Sequence, residues 1–225
     1  MITKNLKLKI ALILEIFSLI LCSMPSCSSS SPPPPAKPIS SPLSFRTSSR
    51  GWVEFYHHDH DKCDFPADPI NHWLGNFYPV QITVPWGTYQ TAEAAFQAKK
   101  CLLLYLSHSD SRQATCLSAF AQARDGEAAF NASRSLPQVP GWLSERDHAM
   151  SEVLTSKFRN PELCSALIKT HPHPLHETIP QSRSHDRGAM HWGAPPHDPH
   201  SRGQNMLGRL LMNIRDQALM TGCPH

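Results

Sequence analysis

A carboxylate, an amide and an ammonium stand in a row at Glu93, Gln97 and Lys100. On a helix these positions (i, i+4, i+7) fall within about 20–40° of one face. Such a row can hold a polar sugar and activate a water; it is equally the make-up of a solvated face with ordinary helix pairs. A second group lies far along the chain. Met190-His191-Trp192-Gly193 sets an aromatic before a glycine in a polar stretch, an arrangement able to stack on a base, and Gly203-Gln204-Asn205-Met206-Leu207-Gly208 follows. Asn205 stands where a helix starts, and a helix N-terminus favours phosphate. The alternative is that Trp192 packs the loop down and Asn205 is only an N-cap. A third group is His57-His58-Asp59-His60-Asp61, in a chain of 14 histidines. No HExxH occurs and no pair has helix-placed ligand spacing, so surface histidine is expected rather than a metal site.

The elements that must position these residues read as mainly helical with a few short strands, an α+β domain. Val53-Glu54-Phe55-Tyr56 is a short strand, and 57–72 is a polar loop. Asn76-Phe77-Tyr78-Pro79 is a turn before a strand at Gln81-Ile82-Thr83-Val84, with Pro85 at its edge or end. Thr91 N-caps a helix from Ala92 to about Leu106, with Ala95, Ala98, Leu102 and Leu106 as its core face. Ala114–Ala132 is helical with a break at Asp125-Gly126. Leu143–Phe158 places Met150, Leu154 and Phe158 on one face, and Pro161–Lys169 starts on a first-turn proline. His171 to Ser201 reads as a long polar loop, a length usually reserved for function. A helix from about Asn205 to Met220 closes the chain.

The chain has 225 residues and a net charge of +3. Lys4, Lys7, Lys9 and Glu15 precede Ser28, which leaves 18 basic against 17 acidic residues. A near-neutral domain excludes whole-molecule attraction to nucleic acid or acidic membrane, so an anionic ligand needs a local pocket. The basic start and the 13-residue apolar run Ile10–Cys22, broken only by Glu15, have the layout of a secretory signal. Cys22 and Cys27 raise lipid anchoring as a variant. Residues 1–27 are therefore a signal-like segment, 28–51 a Ser/Pro-rich spacer and 52–220 one domain. Past the signal, Cys63, Cys101, Cys116, Cys164 and Cys223 are odd in number and irregular in spacing, which indicates neither zinc nor a full disulfide framework. Cys101, Cys116 and Cys164 read as small buried hydrophobes.

Together the motifs resemble the NADAR family, the YbiA-like N-glycosidases. The matching stretches are Trp73 to Pro79, Tyr89-Gln90-Thr91-Ala92-Glu93 with Phe96 to Lys100, and Trp142 to Met150. Lys157-Phe158, Asn160 to Leu163, Thr170, Glu177, Trp192-Gly193 and Gly203 to Arg215 continue the series in order. The resemblance implies a small α-rich fold that hydrolyses ribose–base N-glycosidic bonds. The implied substrates are riboflavin-pathway intermediates bearing ribose 5-phosphate, or ADP-ribose attached to guanine, including ADP-ribosylated nucleic acid. It makes Glu93 the catalytic carboxylate and Lys100 its companion. Asn76, Phe77, Gln97, Trp192, Gly193, Asn205 and Gly208 become substrate-binding, with Asp186 and Glu177 as further candidates and no metal or cofactor. Three positions depart from the family pattern: Gly75 stands for Ser, Ala94 for His and Ala189 for Asp. A non-catalytic ADP-ribose or nucleotide binder is the alternative, and no protein partner or oligomeric state is indicated.

The mechanism expected is attack of a Glu93-activated water on the anomeric carbon, with Lys100 binding phosphate or capturing the opened sugar as a Schiff base. The N-terminal layout predicts a mature protein that lacks residues 1 to about 22–27 and lies outside the cytoplasm. Fractionation with intact-mass measurement checks this. Full-length cytosolic protein beginning at Met1 or Ile2 restores the cytoplasmic alternative.

Overall fold

The computed structural model describes residues 42–56, 69–105, 111–195 and 203–223. The chain divides into two units, Met1–Pro32 and Pro33–His225; the signal-like segment, the spacer to residue 41, the His57–Asp61 cluster, Cys63 and Leu106 lie outside the described residues.

The centre of the fold is a strand that turns directly into a helix. Strand β2 (Pro79–Val84) alternates exposed and buried positions, sending Val80, Ile82 and Val84 inward. It pairs antiparallel with β3 (Gly87–Thr91) around Pro85-Trp86, with a register irregularity between Pro79 and Ile82. The sequence reading stopped at Pro85 and missed β3, whose Gly-Thr-Tyr-Gln-Thr run is too short to show a period. Thr91 ends β3 with extended dihedrals, and its hydroxyl accepts from Ala94 N at 3.1 Å, so one residue closes the strand and N-caps helix α1 (Ala92–Leu104). The indole of Trp86 donates to Ala95 O at 2.9 Å and locks the hairpin to this helix.

Helix α1 is buried all round over its first two turns: Ala92, Ala94, Ala95 and Ala98 have no exposed surface. Four alanines leave room for close neighbours, which are α2 (Ser111–Ala121), α3 (Gly126–Ser133), α4 (Trp142–Lys157) and the hairpin. The helical stretch over 114–132 breaks at Asp125-Gly126 as expected, because Asp125 N-caps α3 through Ala128 N. Helix α4 buries Met150, Leu154 and Phe158 as expected. Asn160 caps α5 (Pro161–Lys169), and α7 (Met206–Thr221) packs on it.

The stretch read as a long loop after His171 is structured. Strand β4 (Leu175–Glu177) lies parallel to β1 (Val53–Phe55), pairing Val53 with Leu175 and Phe55 with Glu177. A 3₁₀ turn (Gln181–Arg183) and helix α6 (Arg187–Trp192) follow, and a bridge joins Thr178 to Ala194. Leu-His-Glu carries no strand signature of its own; its partner is remote in sequence. Among the described residues no helix is long and apolar enough to cross a membrane.

The cysteines also depart from expectation. Cys101 is bonded to Cys116, joining α1 to α2, and Cys164 to Cys223, joining α5 to the chain after α7; each pair has its Cα atoms 5.8 Å apart. Packing of helices, which spacing alone does not reveal, brings them together. Replacing Cys164 and Cys223 together with serine is expected to cost about 2–4 kcal/mol, since the pair closes a long loop in the unfolded chain. Urea denaturation reads the loss; an unchanged midpoint would show the pair unlinked.

Candidate active site

Glu93 is the second residue of α1. Its backbone N–H, one of the donors a helix start leaves unpaired, donates to Asn76 O at 3.0 Å. Its side chain is 6% exposed, and Gln97, one turn on and 5% exposed, donates Nε2 to Glu93 Oε1 at 2.6 Å. Burial pushes the Glu93 carboxyl above the usual carboxylate range. Hydrogen bonding from Gln97, the charge of Lys100 and the amide of Asn76 act against that, while Glu127 on α3 adds to it. The row Glu93, Gln97, Lys100 is thus an interior face, and the solvated-face reading does not hold. Lys100 is half-buried with its ammonium 5.1 Å from the Trp142 ring centre. Desolvation lowers its pKa and the Glu93 charge counters this.

A second carboxylate feels the charge of the first. Glu177, the last residue of β4, is pushed up to about 8 by burial, then by the Glu93 charge, with Arg183 opposing. Its Oε2 is buried without a hydrogen-bond partner among the described residues, as are Asn76 Oδ1 and Gln97 Oε1. Unpaired buried acceptors are costly, and three around one carboxylate suit a ligand rich in hydroxyl or amino donors. Arg183 completes this side: it donates to Tyr56 Oη at 3.3 Å and to Asp186 at 2.7 Å. Burial raises the pKa of Tyr56. Tyr56, Glu127 and Arg183 carry no motif signal, and sequence reasoning missed them.

Aromatic rings line another side. Phe96 meets Trp142 at 4.9 Å and Trp192, nearly perpendicular, at 5.4 Å. Trp192 is half-buried against the core, so it packs as well as presenting a ring. Its neighbour His191 is buried, with Nε2 2.6 Å from Asp147 Oδ1 on α4 and Nδ1 2.7 Å from Gln204 Oε1. Phe77 sits against Phe130 of α3 at 6.5 Å, and Asn76 Nδ2 reaches Met150 Sδ at 3.5 Å.

Other expected ligand residues have work within the protein. Asn205, in the left-handed region at φ 47°, accepts from Glu177 N and donates to Leu175 O, both at 2.9 Å. Gly208 lets α7 approach β4; a Cβ there would lie 2.3 Å from Leu175 O. Gly193 does the same for the chain after α6, since its Cβ would stand 2.5 Å from Glu177 O. These three hold Glu177. Asp186 caps α6 at Gly188 N and Ala189 N and pairs with Arg183, and its pKa is lowered despite partial burial. Arg215 is buried and donates to Thr170 and His173, while Arg209 is exposed. Among the described residues one cluster has metal-like spacing, Glu145, His148 and Glu152, and Lys99 lies 3.0 Å from Glu152 and 3.7 Å from Glu145.

The NADAR domain model matches residues 55–219. N-glycosidase YbiA of Escherichia coli strain K12 is 30% identical over 166 residues, 73% of this chain and 87% of the relative. A riboflavin biosynthesis protein of Vibrio vulnificus is 31% identical over 156 residues, 68% of this chain and 37% of its own length. The solution NMR structure of E. coli YbiA is similar in fold, with a TM-score of 0.55 at 23% identity, covering 85% of this chain and 95% of that one.

Asn205→Gly keeps the left-handed backbone open and removes both hydrogen bonds to β4. It is expected to destabilise the protein by about 1–3 kcal/mol, read by chemical denaturation, and to slow turnover by loosening Glu177. Unchanged stability with only a raised KM would make Asn205 a ligand contact instead.

Proposed function

This chain belongs to the NADAR family, and from that membership we propose that it hydrolyses the N-glycosidic bond of a ribosyl phosphate or ADP-ribosyl compound with Glu93 and Glu177 as base and acid. The observation that carries this reading is a pair of carboxylates in unlike surroundings, Glu93 buried and Glu177 half-buried with its Oε2 shielded from solvent. Glu93 has Gln97, Asn76 and Lys100 to favour its charge. Glu177 has burial and the Glu93 charge against its own, and it keeps a proton up to about 8. Two carboxyl groups whose environments separate their ionisation divide into an ionised base and a protonated acid.

The steps follow from that division. Glu93 takes a proton from water as its oxygen bonds to the anomeric carbon. The carbon–nitrogen bond breaks, its electron pair stays on the leaving nitrogen, and Glu177 supplies that nitrogen with a proton. The negative charge on Glu93 also stabilises the cationic character at the anomeric carbon in a site where burial strengthens the effect. Gln97 Oε1 and Asn76 Oδ1 are acceptors for sugar hydroxyls. Lys100 supports ionisation of Glu93 and offers a cation to phosphate, and its lowered pKa also suits the Schiff-base role. Trp192 and Trp142 offer rings for the base. The riboflavin biosynthesis relative favours ribosylaminopyrimidine phosphates as substrates, with ADP-ribosylated guanine as the second class. Two disulfides favour an oxidising compartment, in keeping with export and against a cytosolic substrate.

Release of free base from a panel of both substrate classes tests the reading. Glu93→Gln preserves volume and removes the charge, so turnover is expected to fall about 10²–10³-fold or more while ligand binding persists. In the wild type the rate should rise with pH as Glu93 ionises, above the ordinary carboxylate range. It should fall again as Glu177 loses its proton near about 8. Glu177→Gln should slow the reaction and abolish the alkaline fall. Binding without base release by the wild type would make the chain a non-catalytic ADP-ribose or nucleotide binder.

A further inference from the structure

We infer that Lys157, which no part of the proposed reaction uses, is a positioning residue that holds Asn76 against Glu93. It rests on Glu93 being the catalytic carboxylate. Lys157 is the last residue of α4 and is 1% exposed. A buried ammonium is costly unless its protons are used. Here they go to backbone: Nζ donates to Gly75 O at 2.7 Å and to Leu74 O at 3.3 Å. The Tyr78 and Phe158 rings lie 5.8 and 5.4 Å from it, and it makes no ion pair with a carboxylate among the described residues.

The place of those two carbonyls gives the lysine its purpose. Leu74 ends the 3₁₀ turn Pro69–Leu74, and Gly75 immediately precedes Asn76. Asn76 then holds Glu93 through its carbonyl, which accepts from the Glu93 N–H at 3.0 Å, and its side-chain amide favours the charge of the carboxylate. Two hydrogen bonds from one buried cation fix consecutive peptide units, so the turn cannot rotate and Asn76 has one orientation. Helix pairing or packing alone does not require a lysine here; methionine would fill the same space. Desolvation lowers the Lys157 pKa to about 7, the cost of placing a cation where only carbonyls receive it.

Lys157→Met keeps length and apolar volume and removes both donors. The variant is expected to lower kcat about 10²-fold, the scale of a misplaced catalytic group, with KM little changed. Glu93, read by carboxyl ¹³C NMR titration of glutamate-labelled protein, should titrate higher than in the wild type, because it loses the amide that favours its charge. Asn76→Ala should shift the titration the same way. The double variant should fall well short of the sum of the two single effects in both kcat and titration. Lys157→Gln, able to donate to one carbonyl, should recover part of both, and it carries the test should Lys157→Met fail to fold.

Full additivity of Lys157→Met with Asn76→Ala overturns the proposal, as does a fall in Tm with kcat and the Glu93 titration unchanged. The titration does not depend on activity. Retained turnover in Glu93→Gln would remove the reading of the site while leaving the coupling of Lys157 to Glu93 measurable.

Discussion

The structure is organised around one unfavourable act, the burial of the Glu93 carboxylate. Removing a carboxylate from water raises its pKa unless hydrogen bonds and charge replace the solvent. The protein supplies these from separate directions: Gln97 from the same helix, Asn76 from the preceding turn, and Lys100 one further turn on. The helix itself adds a fourth contribution, since Glu93 lies in its first turn, where the macrodipole favours negative charge. The β2–β3 hairpin then has a clear task. It ends at Thr91 so that the helix begins within the core rather than at the surface.

Helix α4 does much of the supporting work from a single face. Asp147, Met150, Leu154 and Lys157 follow at i, i+3, i+7 and i+10, the spacing of one side of a helix. From that side Asp147 meets His191 beside Trp192, Met150 meets Asn76, and Lys157 meets the turn before Asn76. One rigid helix thus references the aromatic side and the amide side of the site to each other. Across from it, Asn205, Gly208 and Gly193 bring two chain segments against β4, so that Glu177 is held through backbone contacts rather than by side-chain hydrogen bonds to its own carboxyl.

Much of this was legible in the sequence, and the gaps have physical causes. Local signals were sound: Thr91, Asn160 and Pro161 mark helix starts by their own chemistry, and Met150, Leu154 and Phe158 show a core face by period. Glu93, Gln97 and Lys100 were readable as one face, but whether that face is wet or buried depends on neighbours the period does not contain. Strand β4 was hidden because a three-residue strand acquires its identity from its partner. The disulfides were hidden for the same reason. Asn205 was marked by motif and position, yet only the fold shows both ends of its amide spent on β4. Lys157 was visible as part of a matching stretch, but its burial and its two carbonyl partners appear only in the fold.

The parallel pairing of β1 with β4 bears on how the molecule is made. Arg183 and Tyr56, which meet beside Glu177, are 127 positions apart. Parallel strands so distant close a large loop before any contact rewards it, a slow kind of folding step. During synthesis, helix α1 and its hairpin emerge long before β4, so the nascent chain carries Glu93 without Glu177. A chain that ends before Leu175 would hold Glu93 without Glu177, Arg183 or the segments that position them.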